Sequence, residues 1–133
     1  MRRILLAYDG GEPARRALQT AADLALTLGA SLSVVSVVPV CGDHPEAADP
    51  GDIAEHAREL QEAKRLLAER GIEAELLEPT GDPAPTIERI ADEGAFDTIV
   101  LGSRGLGTIG RMLKGSISEH VVSHARATVV VTH

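Results

Sequence analysis

The stretch RRILLAYDGGEPARRALQTAADLALTLGASLSVVSVV (Arg2–Val38) contains two apolar runs on either side of a segment with helical periodicity. The runs at Arg2–Asp9 and Ser31–Val38 have the length and the aliphatic content of buried strands. Between them, apolar residues recur every three or four positions over Pro13–Leu28, with a proline at the start and Gly29 as the stop. A strand, a helix and a second strand in this order predict two parallel strands with the helix packed across them.

The remainder of the chain continues this alternation. The predicted elements are a polar helix, an edge strand, a short helix, a buried strand, a helix and a last strand, at Asp52–Arg70, Ile72–Glu78, Pro85–Glu93, Asp97–Ser103, Ser116–Ala125 and Ala127–His133. Apolar strands that alternate with helices are typical of a parallel sheet covered on both faces. We therefore predict one three-layer α/β/α domain over residues 1–133, with Pro39–Gly51 as a surface loop.

Composition and charge exclude several classes of function. Aromatic residues make up 2% of the chain and Trp is absent, which argues against binding of single-stranded nucleic acid by base stacking. The formal net charge of -7 argues against a general binder of the phosphate backbone. The single cysteine, Cys41, suits a reducing compartment, and no apolar run approaches the length of a membrane span or a signal-peptide core. We expect a cytoplasmic protein that binds neither nucleic acid nor membrane.

The segment GSRGLGTIGRMLKGS (Gly102–Ser116) concentrates glycine and positive charge without a carboxylate. Its middle, GLGTIG, matches the dinucleotide fingerprint, but the following strand ends without the acidic residue that the fingerprint requires, and its KGS sequence has lysine and glycine in the wrong order for a P-loop. The spacing G-x₂-G-x₉-G-S, formed by Gly102, Gly105, Gly115 and Ser116, suits backbone N–H groups that turn toward an anion at the start of a helix. We predict a phosphate-binding loop, with simple helix capping by Ser116 as the alternative.

This spacing and its flanks closely resemble the universal stress protein family in its nucleotide-binding branch. The segments DTIVLGSRGLG and LKGSISEHVVSHARATVVV are similar to that family's fourth strand, loop, last helix and last strand, and AYDGGEPARRAL is similar to its first strand and turn. The resemblance covers the whole chain. It implies a five-stranded sheet in the order 3-2-1-4-5 and binding of ATP, accompanied by Mg²⁺, in a cleft over the sheet.

The resemblance also implies which residues lie at the nucleotide. Asp9 would lie near adenine and ribose, the backbone at Val37 would contact the adenine ring, and Leu101 would pack against the base or within the core. An Asx turn is the alternative role for Asp9, and Gly11 stands where the family often has a serine that could cap the helix. The residues implied for nucleotide binding are Ala7, Asp9, Val37, Leu101, Gly102, Ser103, Arg104, Gly105, Gly115, Ser116, Ile117 and Ser118.

Neither a catalytic set nor a metal site is predicted. The sequence shows no nucleophile with a dedicated base, although Ser103 or Ser116 could be phosphorylated or could ligate Mg²⁺. His120 and His124 have the spacing of two metal ligands on a helix, but no third ligand is evident nearby. We favour an exposed, solvated helix face for both histidines.

The expected function is that of a nucleotide-dependent module of the stress response. ATP would order the glycine loop and protein partners would read the changed surface, with hydrolysis at most slow and incidental. The resemblance further implies a homodimer through the last strand, Thr128–Thr132, whose outer edge would otherwise be exposed. A slow ATPase, a binder of AMP or cyclic AMP, and a protein-interaction module without nucleotide stay open as alternatives.

Overall fold

Five strands alternate with helices in the computed structural model, which describes residues 2–39, 50–102, 120–122 and 125–132. The strands are β1 (Arg3–Ala7), β2 (Ser31–Val35), β3 (Glu75–Leu77), β4 (Thr98–Gly102) and β5 (Thr128–Thr132). The helices are α1 (Glu12–Leu28), α2 (Pro50–Ala68) and α3 (Pro83–Glu93), and residues 120–122 are also helical. Each of these elements overlaps the segment predicted for it, which confirms the alternating pattern. The predicted loop is too long at its end, because α2 begins at Pro50, and α3 begins at Pro83 and not at Pro85.

The strands form one parallel sheet in the order β3-β2-β1-β4-β5, as the family resemblance implies. The chain moves outward from β1 through β2 to β3, and then returns to place β4 on the other side of β1. The order therefore reverses between β1 and β4, where ligands bind in open sheets of this kind. The short, polar β3 lies at one edge, as expected, and β5 lies at the other.

Helices cover both faces of the sheet. On one face, α1 and α2 pack against alternate residues, Ile4 and Leu6 of β1 and Tyr8 directly after it, all fully buried. On the other face, α3 and Val121 pack against Leu5 and its neighbours. This alternation follows from the two-residue period of a strand. Within the described residues, no helix combines the length and apolarity needed to cross a membrane.

All five strands are shorter than predicted, and β3 most of all, with three residues. The differences that affect the site lie at the carboxyl ends of β1 and β2. β1 ends at Ala7 rather than Asp9, and β2 ends at Val35 rather than Val38. The β1 chain turns away at Gly10, whose φ of +78° is unfavourable for residues with a side chain. As a result, the residues that follow β2 lose their neighbour on the β1 side.

Candidate functional site

The carboxyl ends of the central strands bring together the part of the predicted site that the structure describes. Ala7 ends β1 and Asp9 follows it, Val37 follows β2, and Leu101 and Gly102 end β4. Because all five strands are parallel, these residues lie at one edge of the sheet, next to the reversal of strand order. The other predicted residues lie outside the described part of the chain; they are Ser103, Arg104, Gly105, Gly115, Ser116, Ile117 and Ser118.

Asp9 forms an Asx turn, the alternative role predicted for it. Its Oδ1 accepts a hydrogen bond of 3.0 Å from the Gly11 amide, which is an Asx turn. Gly11 is the N-cap of α1 and provides no side-chain cap, as the sequence indicated. Burial raises the pKa of the Asp9 carboxyl, and the hydrogen bond from Gly11 works in the opposite direction. The turn engages one carboxylate oxygen and leaves acceptor capacity for a ligand.

Val37 has backbone groups that the sheet does not use. The ladder between β1 and β2 closes with a 3.0 Å bond from the Tyr8 amide to the Val35 carbonyl, whereas Ser36 and Val38 continue to donate to the β3 side. Since alternate residues of a strand direct their N–H and C=O groups to opposite sides, the backbone of Val37 faces the space that β1 has left. Among the described residues, its N–H and C=O have no backbone hydrogen-bond partner.

The side chains of Ala7, Val37 and Leu101 belong to the hydrophobic core on the α3 face. Leu101 is 1% exposed, so core packing, one of the two roles considered for it, is what the structure shows. Together these side chains make the core apolar beneath the carboxyl edge on the α3 face.

Gly102 is required for packing between β4 and α1. A Cβ at this position would lie 2.8 Å from the Pro13 Cβ and 2.9 Å from the Pro13 carbonyl carbon. The hydroxyl of Thr132 on β5 also donates to the Pro13 carbonyl oxygen at 3.3 Å. The start of α1 is therefore seated on the ends of β4 and β5, and the glycine allows this contact independently of any ligand.

Glu59 on α2 also lies at this edge, and the sequence analysis did not predict it as a site residue. Its Oε2 lies 3.1 Å from the position that a Cβ on Gly10 would occupy. This oxygen is buried and has no hydrogen-bond partner among the described residues. Burial, followed by the nearby charge of Asp9, raises the pKa of Glu59 to about 7. A helical wheel could have drawn attention to Glu59, because it flanks the buried stripe of Leu60, Ala63 and Leu67.

A second carboxylate of α2, that of Glu62, has hydrogen-bond donors. Glu62 Oε1 accepts hydrogen bonds from the Tyr8 hydroxyl at 2.6 Å and from Arg15 Nε at 3.3 Å. The bond from Tyr8 is the main reason that the pKa of Glu62 is lowered. One turn before Glu59, His56 Nδ1 is hydrogen-bonded to Ser36 Oγ at 2.5 Å. These contacts fix α2 against the ends of β1 and β2.

A cavity of about 500 Å³ lies elsewhere, between α1 and α2. Its lining consists of Glu12, Arg15, Arg16, Gln19, Glu62, Arg65 and Leu66. None of the predicted site residues lines it. Because Arg15 is paired with Glu62 and Arg65 with Glu69, these two guanidinium groups are already neutralised, and the carboxyl edge is the stronger candidate site.

The interpretation of the last helix needs a correction. His120 is predicted on a solvated face; its side chain is 41% exposed, but its Nδ1 is also hydrogen-bonded to Glu88 Oε2 of α3 at 2.6 Å. Val122 is 54% exposed, whereas Val121 is fully buried. Within the described residues 120–122, His120 therefore contacts α3 as well as solvent. His124 lies outside the described residues. The described residues contain no group of three potential ligands that could hold a metal ion.

Comparison with known proteins points to one family. A model of the universal stress protein family matches residues 1–133. A universal stress protein of Thermus aquaticus is 36% identical over an alignment of 133 positions, which covers 96% of each chain. The structure of a universal stress protein from Archaeoglobus fulgidus in complex with dAMP has a TM-score of 0.83 at 26% identity, and the match covers 100% of this chain and 98% of that one. Another universal stress protein, in complex with cAMP, has a TM-score of 0.79 and covers 99% and 97%, but at 23% identity that likeness concerns the fold alone.

Proposed function

Because the chain belongs to the universal stress protein family, we propose that it binds ATP at the carboxyl edge of its sheet and acts as a regulatory module of the cytoplasmic stress response. The observation that carries this proposal is the backbone of Val37, whose N–H and C=O have no backbone partner among the described residues, beside the Asp9 turn and next to the reversal of strand order. A buried or half-buried amide and carbonyl without partners are costly, and a ligand that pairs with both removes that cost.

Adenine suits these groups chemically. Its six-membered ring carries an acceptor nitrogen next to an amino donor, and an N–H and a C=O of one residue offer the complementary pair. The side chains of Ala7, Val37 and Leu101 are packed in the core, so the base would be recognised through the main chain of Val37. The remaining acceptor capacity of Asp9 suits ribose hydroxyls, which donate hydrogen bonds. The complex of the Archaeoglobus fulgidus relative with dAMP supports this choice of ligand.

In this proposal the phosphates bind to the glycine segment that follows Gly102. From Thr98 to Ser118 the sequence has no acidic residue, and Arg104, Arg111 and Lys114 provide positive charge. A glycine-rich loop that leads into a helix is a common phosphate site. Mg²⁺ would accompany the phosphates and neutralise part of their charge.

We propose a binding role rather than a catalytic one, because the sequence shows no nucleophile paired with a base. ATP would order the glycine segment, and partner proteins would recognise the ordered surface. A second copy of the chain would pair along β5 (Thr128–Thr132), which forms an edge of the sheet in this protomer. Slow hydrolysis, or a preference for AMP or cyclic AMP, are the variants of this function to be distinguished.

Calorimetric titration of the purified protein with ATP and Mg²⁺ tests the proposal. We expect saturable binding, with AMP and cyclic AMP as rival ligands and GTP, which reverses the donor and acceptor of the base edge, as the control. Free ATP at a concentration one hundred times its Kd should stabilise the fold by about 2.7 kcal/mol. Absence of binding and of any thermal shift at millimolar ATP would overturn the proposal in favour of a module that acts through protein contacts alone. Phosphate release at a steady rate would favour the slow ATPase.

A further inference from the structure

The carboxyl group of Glu59 is packed against the turn that positions Asp9. The distance of 3.1 Å between its Oε2 and the Cβ position of Gly10 is shorter than an ordinary van der Waals contact. Of the carboxylates on this part of α2, Glu62 receives two hydrogen bonds, whereas Glu59 Oε2 is buried and receives none from the described residues. A buried carboxylate oxygen without a donor strongly favours the protonated, neutral form of the group.

The charges around Glu59 do not compensate for this burial. Asp9 acts on it from the end of β1, and the charged groups that act on it from α2 itself are Glu55, Arg58 and Glu62. Three of these four groups are acidic, and Arg58 has the smallest influence among them. On α1, Arg15 is paired with Glu62, and on α2, His56 is held by Ser36. The local charge therefore opposes ionisation of Glu59.

We propose that Glu59 is a proton-dependent positioning residue of the nucleotide site: its neutral form permits binding, and its ionisation places a second negative charge beside Asp9 and weakens the binding of anionic nucleotides. The inference rests on the proposed function, because it concerns the same edge of the sheet. The helix α2 carries none of the residues implied by the family resemblance. Under this proposal it controls how nucleotide occupancy of the site depends on pH.

The electrostatics of the two acids agree with this geometry. The pKa of Glu59, raised by burial and then by Asp9 to about 7, brings its titration close to neutral pH. Burial also raises the pKa of Asp9, and the negative charge of Asp9, when ionised, opposes ionisation of Glu59. A modest change of pH around neutrality would then alter the charge beside the ligand.

Cyclic AMP is the suitable probe, because its phosphodiester has no second proton to lose. The terminal phosphates of AMP and ATP titrate near pH 6 and would obscure the effect. We expect the affinity of the wild-type protein for cyclic AMP to fall by about threefold to tenfold from pH 6 to pH 8. In Glu59→Gln, which keeps the shape of the side chain but cannot ionise, the affinity should change by less than about twofold.

Glu73→Gln is the matched control for net charge. Glu73 is exposed and precedes β3, so it lies toward the amino edge of the sheet, opposite the candidate site. This variant should keep the wild-type dependence on pH. Equal dependence in the wild-type protein and in Glu59→Gln, or no dependence in either, would overturn the inference while leaving nucleotide binding intact.

A titration by carbon-13 NMR, with the Glu59 carboxyl carbon assigned by comparison with Glu59→Gln, separates the two proposals. A midpoint near pH 7 in the ligand-free protein supports the inference, and a midpoint near the ordinary value for glutamate overturns it. Failure to bind cyclic AMP, AMP and ATP at every pH would overturn the proposed function and the nucleotide part of the inference together. The NMR midpoint would still report whether Glu59 holds the proton.

Discussion

At Val37, the main chain and the side chain have separable roles. Its N–H has no backbone partner in the described structure, so a proline at this position removes a donor without breaking a hydrogen bond of the fold. We expect Val37→Pro to weaken ATP binding at least tenfold, as the loss of a buried hydrogen bond would. Isothermal titration calorimetry measures this change.

Val37→Ala is the control for the lost side chain. It removes buried methyl groups and should lower the melting temperature, since Val37 is 1% exposed. It keeps the backbone N–H, and its affinity should stay within about threefold of the wild type. Equal affinities of the proline and alanine variants would contradict recognition through the backbone.

Glu59 should also determine how stability depends on pH. The pKa of Glu59 in the folded protein, about 7, exceeds its ordinary value of 4.5, so the folded state holds a proton that the unfolded state releases between these values. The resulting stability is present below pH 4.5 and is lost as pH rises through 7. Partial exposure reduces the effect, and we expect Glu59→Gln to gain about 1 to 2 kcal/mol relative to wild type between pH 5 and pH 8.

Urea denaturation of both proteins at several pH values measures this difference. Asp9 contributes a slope of the same sign, because its pKa is also raised, but it does so in both proteins and largely cancels. A constant difference between the two proteins from pH 5 to pH 8 would show that Glu59 ionises as an ordinary surface acid.

At the scale of elements, the packing of the first turn of α1 against β4 depends on Gly102. A methyl group at this position would meet the Pro13 backbone at 2.9 Å, so the first turn of α1 must move. We expect Gly102→Ala to destabilise the fold by about 1 to 3 kcal/mol, as overpacking does. The urea midpoint in the absence of nucleotide tests this, and an unchanged midpoint would mean that the first turn of α1 moves at no cost.

The outer edge of β5 offers a test of the proposed dimer. The Thr128 amide donates to the Asp97 carbonyl beside β4, so Thr128 and Val130 direct their backbone groups inward and Val129 directs its groups to the open edge. Val129→Pro should therefore block pairing with a second copy while it keeps the ladder to β4. Light scattering should show a dimer for the wild type and a monomer for this variant.

Val130→Pro is the matched comparison, because the same substitution one residue later removes a bond to β4. It should lower the stability of the protomer itself. A wild-type protein that is monomeric at all concentrations, or a dimer that persists in folded Val129→Pro, would rule out pairing along β5.

For the whole molecule, the alternation of strands and helices was predictable because each period is a local property of the sequence. The positions of Asp9, Val37 and Leu101 at one edge followed once the strands were taken as parallel. The contact of Glu59 with Gly10 was not predictable, since it depends on how α2 crosses the sheet. The contact of Gly102 with Pro13 joins residues far apart in the chain, and the glycine alone did not distinguish packing from ligand binding. Periodicity therefore located the edge, whereas tertiary contacts determined its chemistry.

A ligand held by the Val37 backbone would place few demands on the amino acid at that position. Nearly every residue has the same N–H and C=O, and among the common amino acids only proline lacks the donor. Over evolutionary time, position 37 would be free to drift among small apolar residues that fit the core, while adenine recognition persisted unchanged. A saturation-mutagenesis library selected for nucleotide binding should therefore deplete proline at this position, and tolerate isoleucine and alanine as long as the protein folds.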